Sequence, residues 1–253
     1  MSSNRNGSRR RALAAACALS LGAFAGGAHA DNPVDATLSA TYYEILNGTG
    51  GPDFGGSGTP NVAAGSALGP DGLPVVVAGS EGISEFDPAT HEITWWSPAM
   101  NSAVQQTGTG TISLPYASNM YPPNSGGGND GGGFETARFG GTFTLAAEST
   151  VSFQLGSDDD SFIYVDGILI GQNPGIHGVT NVNFASGNLA IGSHTIDVFF
   201  ADREQTGAFL SLNLLSQGVI ITPSVPEPSS WGLMLAGMVL LGAVARRRHG
   251  GSR

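Results

Sequence analysis

Three consecutive carboxylates, Asp158, Asp159 and Asp160, stand in the segment Gly156-Ser157-Asp158-Asp159-Asp160-Ser161 and have the most chemistry to offer. Side by side, such charges repel one another unless water solvates them or a cation is shared, and a hard cation such as Ca²⁺ takes oxygen ligands of this type. Spacing alone leaves two readings, a solvated acidic turn or part of a calcium site. An EF-hand is excluded, because the alternating acids and central glycine of that loop are missing.

Other chemistry finds little footing. The sequence holds no Gly-x-Ser-x-Gly elbow, no His-Glu-x-x-His zinc motif, and no Gly-x-Gly-x-x-Gly placed between a strand and a helix. It contains no lysine, which removes a phosphate-binding P-loop lysine and a Schiff-base lysine. A glycosidase needs two carboxyl groups about 5 to 9.5 Å apart across a cleft, and adjacent aspartates rarely face each other so. The chain is therefore read as no enzyme. His177 and His194, beside a glycine and at a strand start, read as polar surface or turn residues. Trp95, Trp96 and Tyr121 could stack on sugars, but read first as core aromatics. Arg203, between Asp202 and Glu204, reads as a maker of local ion pairs.

The elements that must position these residues are strands. Glycine supplies 39 of 253 residues, about twice the ordinary share, and no helical apolar period persists before the C-terminal end. Val151 to Leu155 alternates, Phe162 to Val165 is continuously apolar or aromatic, and Ile196, Val198 and Phe200 alternate, as do Leu210, Leu212 and Leu214. Asp166-Gly167 suits a two-residue hairpin with positive φ at both positions, so its flanking strands should pair antiparallel. Further strands are expected at 38–46, 73–77, 93–96, 111–114, 141–145 and 179–184. The fold class is all-β, an antiparallel two-sheet β-sandwich or jelly roll. Ser125 to Gly133 reads as a surface loop within this one domain.

Charge separates the middle from the ends. Between Asp31 and Pro228 lie all 20 acidic residues and two basic ones, Arg138 and Arg203, so this portion carries 2 − 20 = −18. Such a surface repels nucleic acid and anionic lipid, and no nucleic-acid partner is expected.

An ordered set of short motifs resembles the fibro-slime domain, a branch of the protective-antigen-like (PA-fourteen) β-sandwich superfamily. The landmarks run Gly51-Pro52-Asp53-Phe54, Asp71-Gly72-Leu73-Pro74-Val75, Trp95-Trp96, Tyr121-Pro122-Pro123, Ser157-Asp158-Asp159-Asp160, Val165-Asp166-Gly167, Gly175-Ile176-His177 and Phe199-Phe200-Ala201-Asp202-Arg203. In sugar-binding members of that superfamily, two aspartates joined by a cis peptide hold a calcium that also coordinates sugar hydroxyls. Asp159-Asp160 resembles that pair, and counting back from Gly207 sets Asp202 where those members place an asparagine. The resemblance thus implies calcium as cofactor, with Asp158, Asp159, Asp160 and Asp202 as its ligands, and extracellular polysaccharide as partner. A purely structural matrix domain without ligand is the alternative, and a polysaccharide-processing enzyme is the third reading.

The two ends read as export signals. Arg9-Arg10-Arg11, the apolar run Ala12 to Phe24 and the small-x-small site Ala28-His29-Ala30 form a signal peptide over 1–30, cut by signal peptidase before Asp31. The only cysteine, Cys17, leaves with it. The sandwich is expected over 31–218 and a linker over 219–230 carrying Pro226-Glu227-Pro228. One hydrophobic helix and an arginine cluster, Arg246-Arg247-Arg248, follow over 231–248. Trp231 to Ala245 spans about 22 Å as a helix, short of the roughly 30 Å hydrocarbon core. Arginines beyond it fix the cytoplasmic side. The order resembles the PEP-CTERM sorting signal of Gram-negative bacteria, which implies an exosortase as processing partner. It also implies transient anchoring in the inner membrane, then delivery to the cell surface or matrix.

Overall fold

The computed structural model describes residues 36–46, 51–55, 63–77, 83–122, 132–204 and 206–224, all within the compact unit Pro33–Arg253. Its strands are β1 (Thr37–Leu46), β2 (Ala64–Leu68), β3 (Pro74–Val76), β4 (Val104–Ser113), β5 (Tyr116–Asn119), β6 (Gly133–Leu145) and β7 (Ser152–Asp158). There follow β8 (Asp160–Val165), β9 (Ile168–Asn173), β10 (Thr180–Ala185), β11 (Gly192–Ala201), β12 (Phe209–Leu214) and β13 (Ile221–Pro223). They form a nine-stranded sheet, β3-β2-β9-β8-β11-β6-β1-β4 with β13 on β6, and a four-stranded sheet, β10-β7-β12-β5. Every ladder between them is antiparallel, as the sequence predicts.

The middle of the large sheet, at β8 and the end of β11, is buried on both faces, which explains the unbroken apolar runs there. Successive strand side chains point to opposite faces. Ile163, Val165, Val198 and Phe200 pack inward in one core with Phe153, Leu155, Leu210 and Leu212 of the small sheet. Phe162, Tyr164, Phe199 and Ala201 point outward into a second core with Phe54, Leu73, Ile93, Trp95 and Trp96. The stretch between β1 and β4 therefore roofs the outer face of the large sheet.

Trp95-Trp96 departs from its expected strand. Both rings lie in the outer core with centroids 5.5 Å apart. Strand alternation would have sent them to opposite faces, and the chain turns here instead, with Ser97 N donating to Thr94 O.

The β8–β9 hairpin follows the sequence reading, with positive φ at Asp166 (52°) and Gly167 (72°). The sheet runs past the boundary expected at 218: β13 pairs Ile221 with Phe143, and Ser224 N donates to Gly140 O. Val219 and Ile221 are buried in the inner core, which makes this stretch part of the domain and not of a linker.

The expected signal peptide with Ala28 and Ala30, the Ser125–Gly133 loop up to residue 131, the Pro226-Glu227-Pro228 motif, the apolar span and Arg246 to Arg248 lie outside the described residues. Among the described residues there is no helix long and apolar enough to cross a membrane.

Candidate functional site: an acidic end of the sandwich

Among the chain's crossings between the two sheets, three that carry the acids lie together at one end of the sandwich. The chain crosses from β7 to β8 through Asp159 alone, from β9 to β10 through residues 174–179, and from β11 to β12 through residues 202–208. Register brings these crossings together, because Asp158 pairs with Phe209 in the small sheet while Asp160 pairs with Ala201 in the large one. The three consecutive aspartates are thus the hinge between layers. They are no solvated turn, since Asp158, Asp159 and Asp160 are 9%, 1% and 0% exposed.

Each carboxylate has its own surroundings. Asp159 accepts the N–H of His177 (2.8 Å) on one oxygen and those of Arg203 (2.9 Å) and Glu204 (3.1 Å) on the other, tying the other two crossings to its own. Asp160 accepts Arg203 Nε at 2.6 Å and the N–H of Gly175. Burial pushes the Asp160 carboxyl up, while the Arg203 guanidinium and the Gly175 N–H oppose the shift. The Asp158 carboxylate faces Gly207, whose φ is +94° and where a Cβ would come within 2.8 Å of Asp158 Oδ2. Asp202, wholly buried, follows the β11 residue opposite Asp160 and donates its N–H to Glu135 O at 3.0 Å.

The aspartate pair needs one correction. The cis peptide joins Asp158 to Asp159, one residue earlier than the resemblance placed it. Asp160 already belongs to β8, and its charge is answered by Arg203.

Arg203 is also not the local ion-pair residue its neighbours suggested. It is completely buried, its partner lies 43 residues away, and its guanidinium sits 5.1 Å from the centroid of the Trp95 ring. Trp95 Nε1 donates to Asp53 Oδ2 at 3.0 Å, and Asp53 also accepts the N–H groups of Ser84 and Glu85. Gly55 N donates to Arg203 O at 2.8 Å. Asp53, Trp95, Arg203 and Asp160 therefore form a continuous chain from the roof to the hinge. The sequence named all four as landmarks or neighbours, yet gave no sign that they touch.

Two more acids escaped the sequence reading. Glu44 and Glu135 are directly opposed across β1 and β6, and both are buried. Burial, with the charge of Glu44 adding, pushes the Glu135 carboxyl up to about 8. Among the described residues no group of three or more His, Cys, Asp or Glu side chains is arranged to hold a metal ion. The donors gathered at this end are oxygens, the type a hard cation takes. His194 stands apart: Nδ1 meets Asp166 Oδ2 at 2.6 Å and Nε2 meets Ala190 O at 2.9 Å, which pins the β8–β9 hairpin.

Residues 224–248 match the PEP-CTERM protein-sorting motif. No curated protein matches the chain. Among solved structures, a PA14 sugar-binding domain from an RTX adhesin is similar at 12% identity, over 74% of this chain and 94% of that one, with a TM-score of 0.36. The PA14 domain of the MpAFP antifreeze protein is similar at 15% identity over 77% and 96%, with a TM-score of 0.34. The A domain of epithelial adhesin 6 from Candida glabrata, solved with Galβ1-3GlcNAc, is similar at 12% identity over 74% and 84%, with a TM-score of 0.36. The PEP-CTERM tail begins at Ser224, whose N–H is still bonded to the sheet.

Proposed function

We propose that this chain is an exported, non-enzymatic surface or matrix module that binds carbohydrate through calcium at the acidic end of its sandwich. One observation carries the cation: Asp158, Asp159, Asp160 and Asp202, each at most 9% exposed, lie where the crossings meet at one end of the sandwich, and Asp160 engages the Arg203 guanidinium. The only other basic residue between Asp31 and Pro228 is Arg138, which pairs with Asp197 at 2.9 Å. Buried like charges are costly unless neutralised, and Arg203 answers Asp160. In this reading calcium binds at Asp158, Asp159 and Asp202, which do not by themselves form a ready-made cluster, and Asp160 stays outside the set because Arg203 engages it.

Calcium takes six to eight oxygens, and both oxygens of Asp159 already accept N–H groups, so places remain for backbone carbonyls and for ligand hydroxyls. Gly207 keeps a side chain away from Asp158 Oδ2, since a Cβ there would come within 2.8 Å of it. The sugar half of the proposal rests on the ordered landmarks that resemble the fibro-slime domain. The sorting tail supports exosortase handling and display outside the cell.

A glycan array probed with and without calcium tests this reading. Binding that appears with calcium, disappears with chelator and is lost in Asp158→Asn is the expected result. Calcium binding without any glycan captured would favour a structural matrix domain, in which Asp159 and Asp160 serve as struts.

A further inference from the structure

A second surface of the domain has the makings of a ligand site, independent of calcium. On the outer face of the large sheet, beside its roof, lies a trough of about 650 Å³, within the size range of small-ligand sites. Its floor is two adjacent rows set by register. Thr109, Thr41 and Arg138 form one, from β4 through β1 to β6; Thr111, Ser39, Gly140 and Asp197 form the other, reaching β11. Four strands at a spacing of about 4.8 Å give a row roughly 14 Å long, across the strand direction.

The chemistry of the floor is uniform in kind. Hydroxyls of Ser39, Thr41, Thr109 and Thr111 both donate and accept. Between them stands the Arg138–Asp197 pair at 2.9 Å, with the guanidinium 5.2 Å from the centroid of the Phe199 ring, which fixes its plane. Those two side chains retain 35% and 18% of their exposure, so a fork of donors and an acceptor edge lie side by side, open to a ligand. Gly140 makes room for the Ser224 hydroxyl, which a Cβ there would meet at 2.8 Å, and Ser39 Oγ donates to Gly140 O at 2.9 Å and lies 2.8 Å from Ser224 Oγ.

Charge selects the occupant. The pair is neutral as a unit, and the exported portion carries −18, which disfavours acidic polymers. We infer that this trough binds a neutral, polyhydroxylated chain, a run of sugar rings laid across the strands. It forms a glycan site distinct from the acidic end. With two sites on one domain, a matrix polymer engaged at both would be held more tightly than at either.

The test is calorimetric titration of the purified full chain with neutral hexasaccharides of glucose, mannose and galactose, all in chelator. Saturable binding to at least one is expected, weakened at least tenfold by Arg138→Gln and by Thr41→Val and unchanged by Asp158→Asn. Asp158→Asn disables the proposed calcium end only, so the two sites fail separately. Absence of binding to all three sugars in chelator would overturn the inference. So would binding indifferent to both trough substitutions, or binding lost in Asp158→Asn.

Discussion

Arg203 and Asp160 exchange one charge-assisted hydrogen bond at zero exposure, and among the described residues the two terminal amino groups of Arg203 meet no acceptor. Removing one partner of such a pair leaves an uncompensated buried charge, at a cost of about 3–5 kcal/mol. Arg203→Met should therefore destabilise the domain on that scale in urea unfolding, while Arg203→Met/Asp160→Leu should recover much of the loss. A double variant no more stable than the single one would show that the pair is not what matters. The aspartate run was legible in the sequence as chemistry but not as geometry. Nothing local distinguishes Asp160, which faces Arg203, from Asp158, which faces Gly207, because the distinction arises from which sheet each residue enters. Arg203 likewise has acidic neighbours on both sides, and its true partner appears only once β8 and β11 are in register.

Strands were the most legible elements, since alternation and the Asp166-Gly167 turn are local signals. The ends of β7 and β8 were not, because a change of sheet leaves no mark on periodicity. Trp95-Trp96 misled for a related reason: two apolar neighbours fit a buried strand or a turn folded over one core. As part of the roof, Trp96 donates its Nε1 to Phe200 O at 2.7 Å and packs edge-on to Phe199. Trp96→Ala should cost about 3–5 kcal/mol, as large aromatic deletions in cores do, and a loss below 1 kcal/mol would contradict the roof's role.

The β8–β9 hairpin carries its own pH dependence. The bond to Asp166, and then that to Ala190 O, hold the His194 ring above its usual value near 6.5. A histidine raised in the folded state stabilises fully below its unfolded pKa, and that contribution fades as pH climbs through the raised value. Melting temperatures of the wild type relative to His194→Gln should therefore fall as pH rises above about 6.5. A constant difference between pH 5.5 and 9 would contradict the pairing.

At the scale of the whole molecule, an acidic sandwich is joined to a sorting tail with almost no intervening chain. Ser224 is bonded to the sheet through Gly140, and Pro226 follows two residues later. In a strain with exosortase, Pro226→Ala/Glu227→Ala should accumulate as full-length membrane-bound chain, detected by an antibody against its C-terminal arginines. Normal processing of that variant would contradict a role for the motif.

The central claim, a cation at the acidic end, is tested most directly by thermal melts of the full chain with calcium and then with excess chelator. Saturation at 100 times the dissociation constant stabilises by about 2.7 kcal/mol. In a domain of this size that raises the melting temperature by roughly 5–10 °C. The account predicts such a rise for the wild type, its reversal by chelator, and its absence in Asp158→Asn. No shift in the wild type, or the same shift in Asp158→Asn, would contradict it.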